Sequence, residues 1–227
     1  MPHDRVEAVE RALTVLECFS EETKTLTLAE FASKTGFYKS TILRLSRSLE
    51  RFGYLRKLDD GAYKLGPSLW RLGALYRQDY DLGKNIRPVL TTLRDATGET
   101  ASFYVMEGDK RICLYRENSN RAIRHHLDEG AQLPLNQGAA GKLLSTFAGI
   151  KNGTEANQIK QQEFAVSRGE RDPDVAAVAV PLFSKDGSVK GALCVSGLVH
   201  RFEDEFIDRC IATIKEEALN LTALLDS

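Results

Sequence analysis

Lys39-Ser40-Thr41-Ile42-Leu43-Arg44-Leu45-Ser46-Arg47 is the stretch on which the reading of this chain turns. At helical spacing Ser40, Arg44, Arg47 and Arg51 share one face, while Ile42, Leu45, Leu49 and Phe52 share the opposite one. One side is suited to packing and the other to an anion. From Lys34 to Lys57 there are seven basic residues and one acidic residue, Glu50, in a chain whose net charge is −1. A basic helix alone usually marks nothing more than a solvated face. Its neighbours decide otherwise.

Upstream, Thr27-Leu28-Ala29-Glu30 has the Thr-x-x-Glu form of a capping box. It opens a short helix to about Lys34, which Gly36 breaks two residues before the longer helix, Tyr38 to Phe52. A first helix, Val6 to Phe19, carries Val6, Val9, Leu13 and Leu16 as its apolar stripe. Downstream, Gly53 ends the basic helix. Two short strand-like runs, Tyr54–Leu58 and Ala62–Leu65, flank the tight turn Asp59-Asp60-Gly61. Three helices and a hairpin outline a winged helix-turn-helix over residues 1–66. Its basic helix suits the major groove of double-stranded DNA. Arg44 and Arg47 would then meet base edges or phosphates, with Arg51 on the same face. Lys39, Ser40 and Thr41, at the helix start, are placed for phosphate. Arg56, Lys57 and Lys64 put positive charge on the wing.

Pro67 suits the first turn of a linker helix over 67–80, with Leu69, Leu72, Tyr76 and Tyr80 as its stripe and Trp70 beside it. One winged helix makes few phosphate contacts and paired half-sites double them, so a homodimer is expected, with this stripe as its first interface. Residues 81–227 read differently: a helix through Leu82, Ile86, Val89, Leu90 and Leu93, then strands at Thr100–Glu107, Lys110–Glu117 and Ala122–Leu127. A helix from Gly138 to Phe147 and strands at Phe164–Arg168, Val175–Phe183 and Val189–Ser196 precede a last helix from Asp204. This pattern predicts an α+β fold with an antiparallel sheet flanked by helices.

The 227 residues favour two domains, and 42% hydrophobic with 28% charged residues is ordinary for a globular chain. No apolar run approaches the ~20 residues of a membrane span, and no secretory signal opens the chain, so a cytoplasmic protein without membrane contact is expected. Cys18, Cys113, Cys194 and Cys210 are too scattered for a disulfide framework or a zinc site. His125 and His126 are adjacent and poorly disposed for a shared metal. No metal or other cofactor is implied.

Several runs together resemble the IclR (isocitrate lyase regulator) family. In the first domain they are Arg11-Ala12-Leu13, Leu28-Ala29-Glu30, Thr35 through Leu45, Gly53-Tyr54-Leu55 and Tyr63-Lys64-Leu65-Gly66. In the second they are Pro88-Val89-Leu90, Thr97-Gly98-Glu99-Thr100, Pro134-Leu135, Gly138-Ala139-Ala140-Gly141-Lys142, Ala165 through Glu170 and Gly191 through Gly197. The resemblance implies a transcriptional regulator with a GAF-like domain over 81–227 that binds a small organic acid effector, and pairing of dimers into tetramers. It places pocket walls on Gly138, Ala139, Ala177, Cys194 and Ser196, and a ligand-contacting polar group at Arg168. The run Asn136 to Gly141 opens a helix with small residues, so backbone N–H groups can approach an anion. Phe103 and Tyr115, on adjacent predicted strands, are further candidates for the lining. Between Ala148 and Phe164 the sequence is shorter than the family pattern.

Two other readings compete. An enzyme would need a catalytic constellation, and no H-E-x-x-H, G-x-S-x-G or P-loop occurs. Alternatively the second domain only dimerises, with Ala177 and Cys194 as plain core residues and Arg168 in a surface pair with Glu170.

Overall fold

The computed structural model describes residues 5–20, 22–79 and 82–225, and the chain divides into two compact units, Met1–Tyr80 and Asp81–Ser227. The first unit runs α1 (Glu7–Leu16), β1 (Thr25–Leu26), α2 (Leu28–Thr35), α3 (Lys39–Arg51), β2 (Leu55–Lys57), β3 (Tyr63–Leu65) and α4 (Pro67–Asp79). At α2 the Thr27 side chain accepts from the Glu30 N–H and the Glu30 carboxylate accepts from the Thr27 N–H, the reciprocal arrangement expected of that sequence. Gly36 ends the helix at φ +72°, a conformation that costs a glycine little. The three strands form an antiparallel sheet in the order β1-β3-β2. Val15, Phe31, Ile42, Leu49, Leu55 and Tyr63 fill the core under it.

Two expected stripes are corrected. On α3 the buried residues are Ile42, Ser46 and Leu49, and Phe52 is 68% exposed. The helix ends at Arg51 and Gly53 turns the chain away at φ +73°, so Phe52 leaves the helical period before it can join the core. On α1 Val15 is the buried residue, with Leu16 packed beside it, while Val6, Val9 and Leu13 are exposed. The exposure continues on α4 at Trp70, Leu72, Leu75 and Tyr76. Tyr80 lies outside the described residues.

The second unit runs α5 (Leu82–Thr97), β4 (Thr100–Glu107), β5 (Lys110–Glu117), β6 (Gln132–Pro134), α6 (Ala139–Phe147), α7 (Thr154–Gln162), β7 (Ala165–Arg168), β8 (Val175–Phe183), β9 (Val189–Leu198) and α8 (Asp204–Leu225). Its six strands make one antiparallel sheet, β6-β5-β4-β9-β8-β7. Apolar residues of α5 and α8, among them Ile86, Leu90, Leu93, Ile207 and Ile214, cover one face. Leu143 and Leu144 of α6 and Ile159 of α7 cover the other. This is the α+β architecture the sequence predicts. The strand predicted at Ala122–Leu127 is absent. The His125 carbonyl accepts from the Arg116 guanidinium at 2.8 Å, a side chain supplying what a neighbouring strand would. The edge strand is Gln132–Pro134 instead, paired with Lys110–Ile112.

Candidate functional site

In the first unit, α3 presents its cations outward. Lys39, Ser40, Arg44, Arg47 and Arg51 are exposed and Thr41 is half-buried. Among the described residues no carboxylate lies within ion-pair distance of Lys39, Arg44, Arg47 or Arg51. The helix start differs from that of α2. Tyr38 provides no side-chain cap, and the first turn holds no acidic residue. Its N–H groups, at the positive end of the helix dipole, remain for an outside acceptor. The turn between α2 and α3 is held from behind, with the Arg11 guanidinium 5.4 Å from the Phe37 ring.

On the wing, Arg56 stands directly opposite Lys64, so two like charges share one face of the hairpin. That arrangement costs energy until an anion lies between them. Lys57 points the other way, its ammonium 5.9 Å from the centre of the Tyr63 ring.

In the second unit a cavity of about 40 Å³ lies between the sheet and the start of α6. Gly138, Ala139, Ala177, Cys194 and Ser196 all line it. Phe103, Tyr115 and Arg168 do not. Phe103 and Tyr115 belong to the core under α5 and α8, their rings stacked 6.5 Å apart, because strand alternation turns them to the opposite face. Their neighbour Tyr104 takes the cavity position. The same alternation applies on β7, where Ser167 lines the cavity while Arg168 reaches the Phe202 carbonyl and the Asp204 carboxylate. Arg168 therefore faces away from the cavity, and its ion-pair partner is Asp204 rather than Glu170.

The wall contains residues that composition does not announce: Arg111, His125, Glu170, Arg171 and Asp172. Burial, then the Arg116 and Arg171 guanidinium groups, push the His125 pKa down to about 4. The ring is neutral at pH 7, and its Nε2 faces Arg171 Nη2 at 2.6 Å. Burial raises the Cys194 pKa to about 12, so this residue is a packed thiol.

At the start of α6 the small residues bring backbone N–H groups up to an anion of the protein itself. Gly138 N–H donates to the Glu170 carboxylate at 3.0 Å, and Ala139 N–H donates to the Ser167 hydroxyl at 3.0 Å. Lys142, nearly buried, holds the other Glu170 oxygen. A Cβ on Gly141 would come within 2.1 Å of Arg111 Nη1, and one on Gly138 within 3.1 Å of Arg111 Nη2. The glycines thus make room for an internal guanidinium, and an internal carboxylate already sits on the first amide.

The fold and the exposed basic helix define a winged-helix transcription factor joined to a cavity-bearing domain. The sequence matches the IclR helix-turn-helix domain over residues 8–59. It matches the bacterial transcriptional regulator IclR C-terminal domain over 74–156 and 152–223, two segments that meet where the sequence is short. The chain belongs to the IclR family of transcriptional regulators. It is 25% identical over 245 residues to the HTH-type transcriptional regulator XynR of Escherichia coli, covering 97% of each chain. An IclR transcriptional regulator from Alicyclobacillus acidocaldarius superposes with a TM-score of 0.81 at 26% identity, over 96% of this chain and 98% of that one. An IclR homologue from Microbacterium hydrocarbonoxydans, solved in complex with 4-hydroxybenzoate, shares the fold at a TM-score of 0.78 and 18% identity, over 96% and 98% of the chains. These relatives are regulators, which sets the enzyme reading aside. Among the described residues no helix is long and apolar enough to cross a membrane.

Proposed function

We propose that the chain is a homodimeric, cytoplasmic regulator that grips its operator through α3 and the wing and changes its grip when a small organic acid enters the cavity of the second unit. The observation that carries the DNA half is the outward row Ser40, Arg44, Arg47 and Arg51 on a helix whose other face is packed. Guanidinium groups without carboxylate partners are ready for phosphate oxygens and guanine edges. Lys39, Thr41 and the uncapped amides beside them supply phosphate contacts, as do Arg56 and Lys64 across the hairpin. Lys57, drawn toward Tyr63, contributes charge to the wing and less to direct contact.

The dimer reading draws on the exposed apolar residues of α1 and α4, since such patches mark protein contacts. Residues 1–66 then act as the reading head, residues 67–80 as linker and first interface, and 81–227 as the sensing and oligomerising part, where pairs of dimers also meet. The effector reading is supported by the cavity at Gly138, Ala139, Ala177, Cys194 and Ser196, and by the homologue that holds 4-hydroxybenzoate, a carboxylate. At about 40 Å³ the cavity admits little more than an acid group as it stands, so a larger effector is accommodated by outward movement of its wall.

The test is DNA binding by the full chain on fragments flanking its own gene, with and without acetate, pyruvate, succinate or 4-hydroxybenzoate. A specific shift that one acid weakens or strengthens is expected. Binding equally tight to unrelated DNA would defeat the operator reading, and a shift indifferent to every added small molecule would defeat the effector reading.

A further inference from the structure

We infer that Arg111 is the anchor for the effector's acid group and the residue that makes this cavity select acids over neutral molecules. The inference rests on reading the cavity as an effector site and adds which atom of the protein recognises which atom of the ligand.

Arg111 is 4% exposed, on β5, in the cavity wall. Its Nη1 donates to the carbonyls of Pro134 and Gln137, and its guanidinium lies 5.6 Å from the Tyr104 ring centre. Its Nε is buried and has no hydrogen-bond partner. Among the described residues no carboxylate lies within 4.0 Å of it. Burial pulls its pKa below that of a free guanidinium, and the charge of Arg171 pushes the same way. A buried charge without a counter-charge is costly, and proteins keep one where something else supplies the partner.

The other cations of this unit do not share the condition. Arg201 and Arg121 face the buried Glu99, Arg87 and Arg94 face Glu117, and Lys142 faces Glu170. Arg116 is also buried without a carboxylate, but each of its three nitrogens donates, to Asn118, Ser102 and the His125 carbonyl. Arg171 is also in the cavity wall, but it is exposed and meets the His125 ring, so among the described residues Arg111 alone joins burial, a partnerless nitrogen and a place in that wall. The rival anion position, the amides at the start of α6, is already engaged: Gly138 N–H, just before the helix, holds Glu170, and Ala139 N–H holds the Ser167 hydroxyl. A ligand carboxylate therefore meets its positive partner on β5, with the internal Glu170 repelling any acid group placed nearer the helix.

The test is calorimetric titration of the full chain with acetate, pyruvate, succinate and 4-hydroxybenzoate, each beside its uncharged primary amide. At least one acid is expected to bind at least ~10-fold more tightly than its amide. In Arg111→Met the acid-to-amide ratio falls to about one, and Arg111→Lys restores part of it. The Arg111 ¹⁵Nε signal of the wild type should also move with the acid and stay with the amide, a readout that holds even where Arg111→Met folds poorly. A ratio unchanged in Arg111→Met, or amides preferred by the wild type, overturns the role of Arg111 and leaves the effector reading standing. No binding by any of the molecules overturns both.

Discussion

The two units handle positive charge in opposite ways. In the first, Arg44, Arg47 and Arg51 are left without carboxylates, and Arg56 and Lys64 are set against each other. In the second, nearly every cation named above is engaged inside the fold, two of them by the buried Glu99. Unpaired exposed cations cost a fold little and bind a polyanion well, whereas a buried cation is costly unless a counter-charge or hydrogen bonds meet it. The exposed cations left unneutralised in the first unit are the ones proposed to meet DNA, and those engaged in the second unit hold its fold together.

That contrast can be broken, and the sharpest attempt is at α3. Arg44→Ala with Arg47→Ala should weaken specific operator binding by about 2–6 kcal/mol, read by gel shift, because each guanine-type contact contributes about 1–3 kcal/mol. Thermal unfolding should barely move. A large loss of stability would mean these arginines were structural after all. Glu99→Gln is the mirror experiment. It strips a buried carboxylate from Arg121 and Arg201, and should destabilise the second unit by about 3 kcal/mol in urea unfolding while DNA affinity per folded molecule holds.

The next effect is one of pH. His125 has a folded pKa of about 4 against an ordinary 6.5, so the folded ring resists the proton that the unfolded chain accepts. Stability is therefore full above pH 6.5 and falls progressively as the pH drops toward 4, by on the order of 2 kcal/mol for this partly exposed group. His125→Asn should flatten that portion of the stability curve, and an unchanged slope would place the acid sensitivity elsewhere. The smallest effect belongs to the wing. Lys64→Gln should reduce the salt dependence of DNA binding by about one phosphate contact. It should also relieve Arg56 slightly, so that the hairpin loses no stability.

The first unit was legible from its sequence because its signals are local. A capping box, a left-handed glycine, the four-three-four spacing of Ser40, Arg44, Arg47 and Arg51 and a turn at Asp59-Asp60-Gly61 each act within a few residues. What escaped were statements about neighbours. The stripe Val6, Val9 and Leu13 is apolar as read, but periodicity does not say what covers it. In the second unit the hairpin of Val175–Phe183 with a strand at Val189–Ser196 is legible from its length and the Asp186-Gly187 turn, and the observed second strand runs two residues further, to Leu198. Which side chains of β4 and β7 face α6 was not. A sheet covered on both faces carries no clean alternation, so Phe103 and Tyr104 looked equivalent until pairing fixed their sides. Arg111 was missed because a charged residue near a strand end reads as surface, and its burial depends on glycines 27 and 30 positions further on.

Those glycines bear on how the family's sequences are free to drift. Gly141 lies within a helix, where alanine would ordinarily be the better choice. Any methyl there would occupy the space of the guanidinium and also press on the Leu135 carbonyl, 2.8 Å away. The constraint therefore runs in one direction. In this chain a buried guanidinium at position 111 leaves room only for glycine at 141, whereas glycine at 141 sets no such demand on the strand.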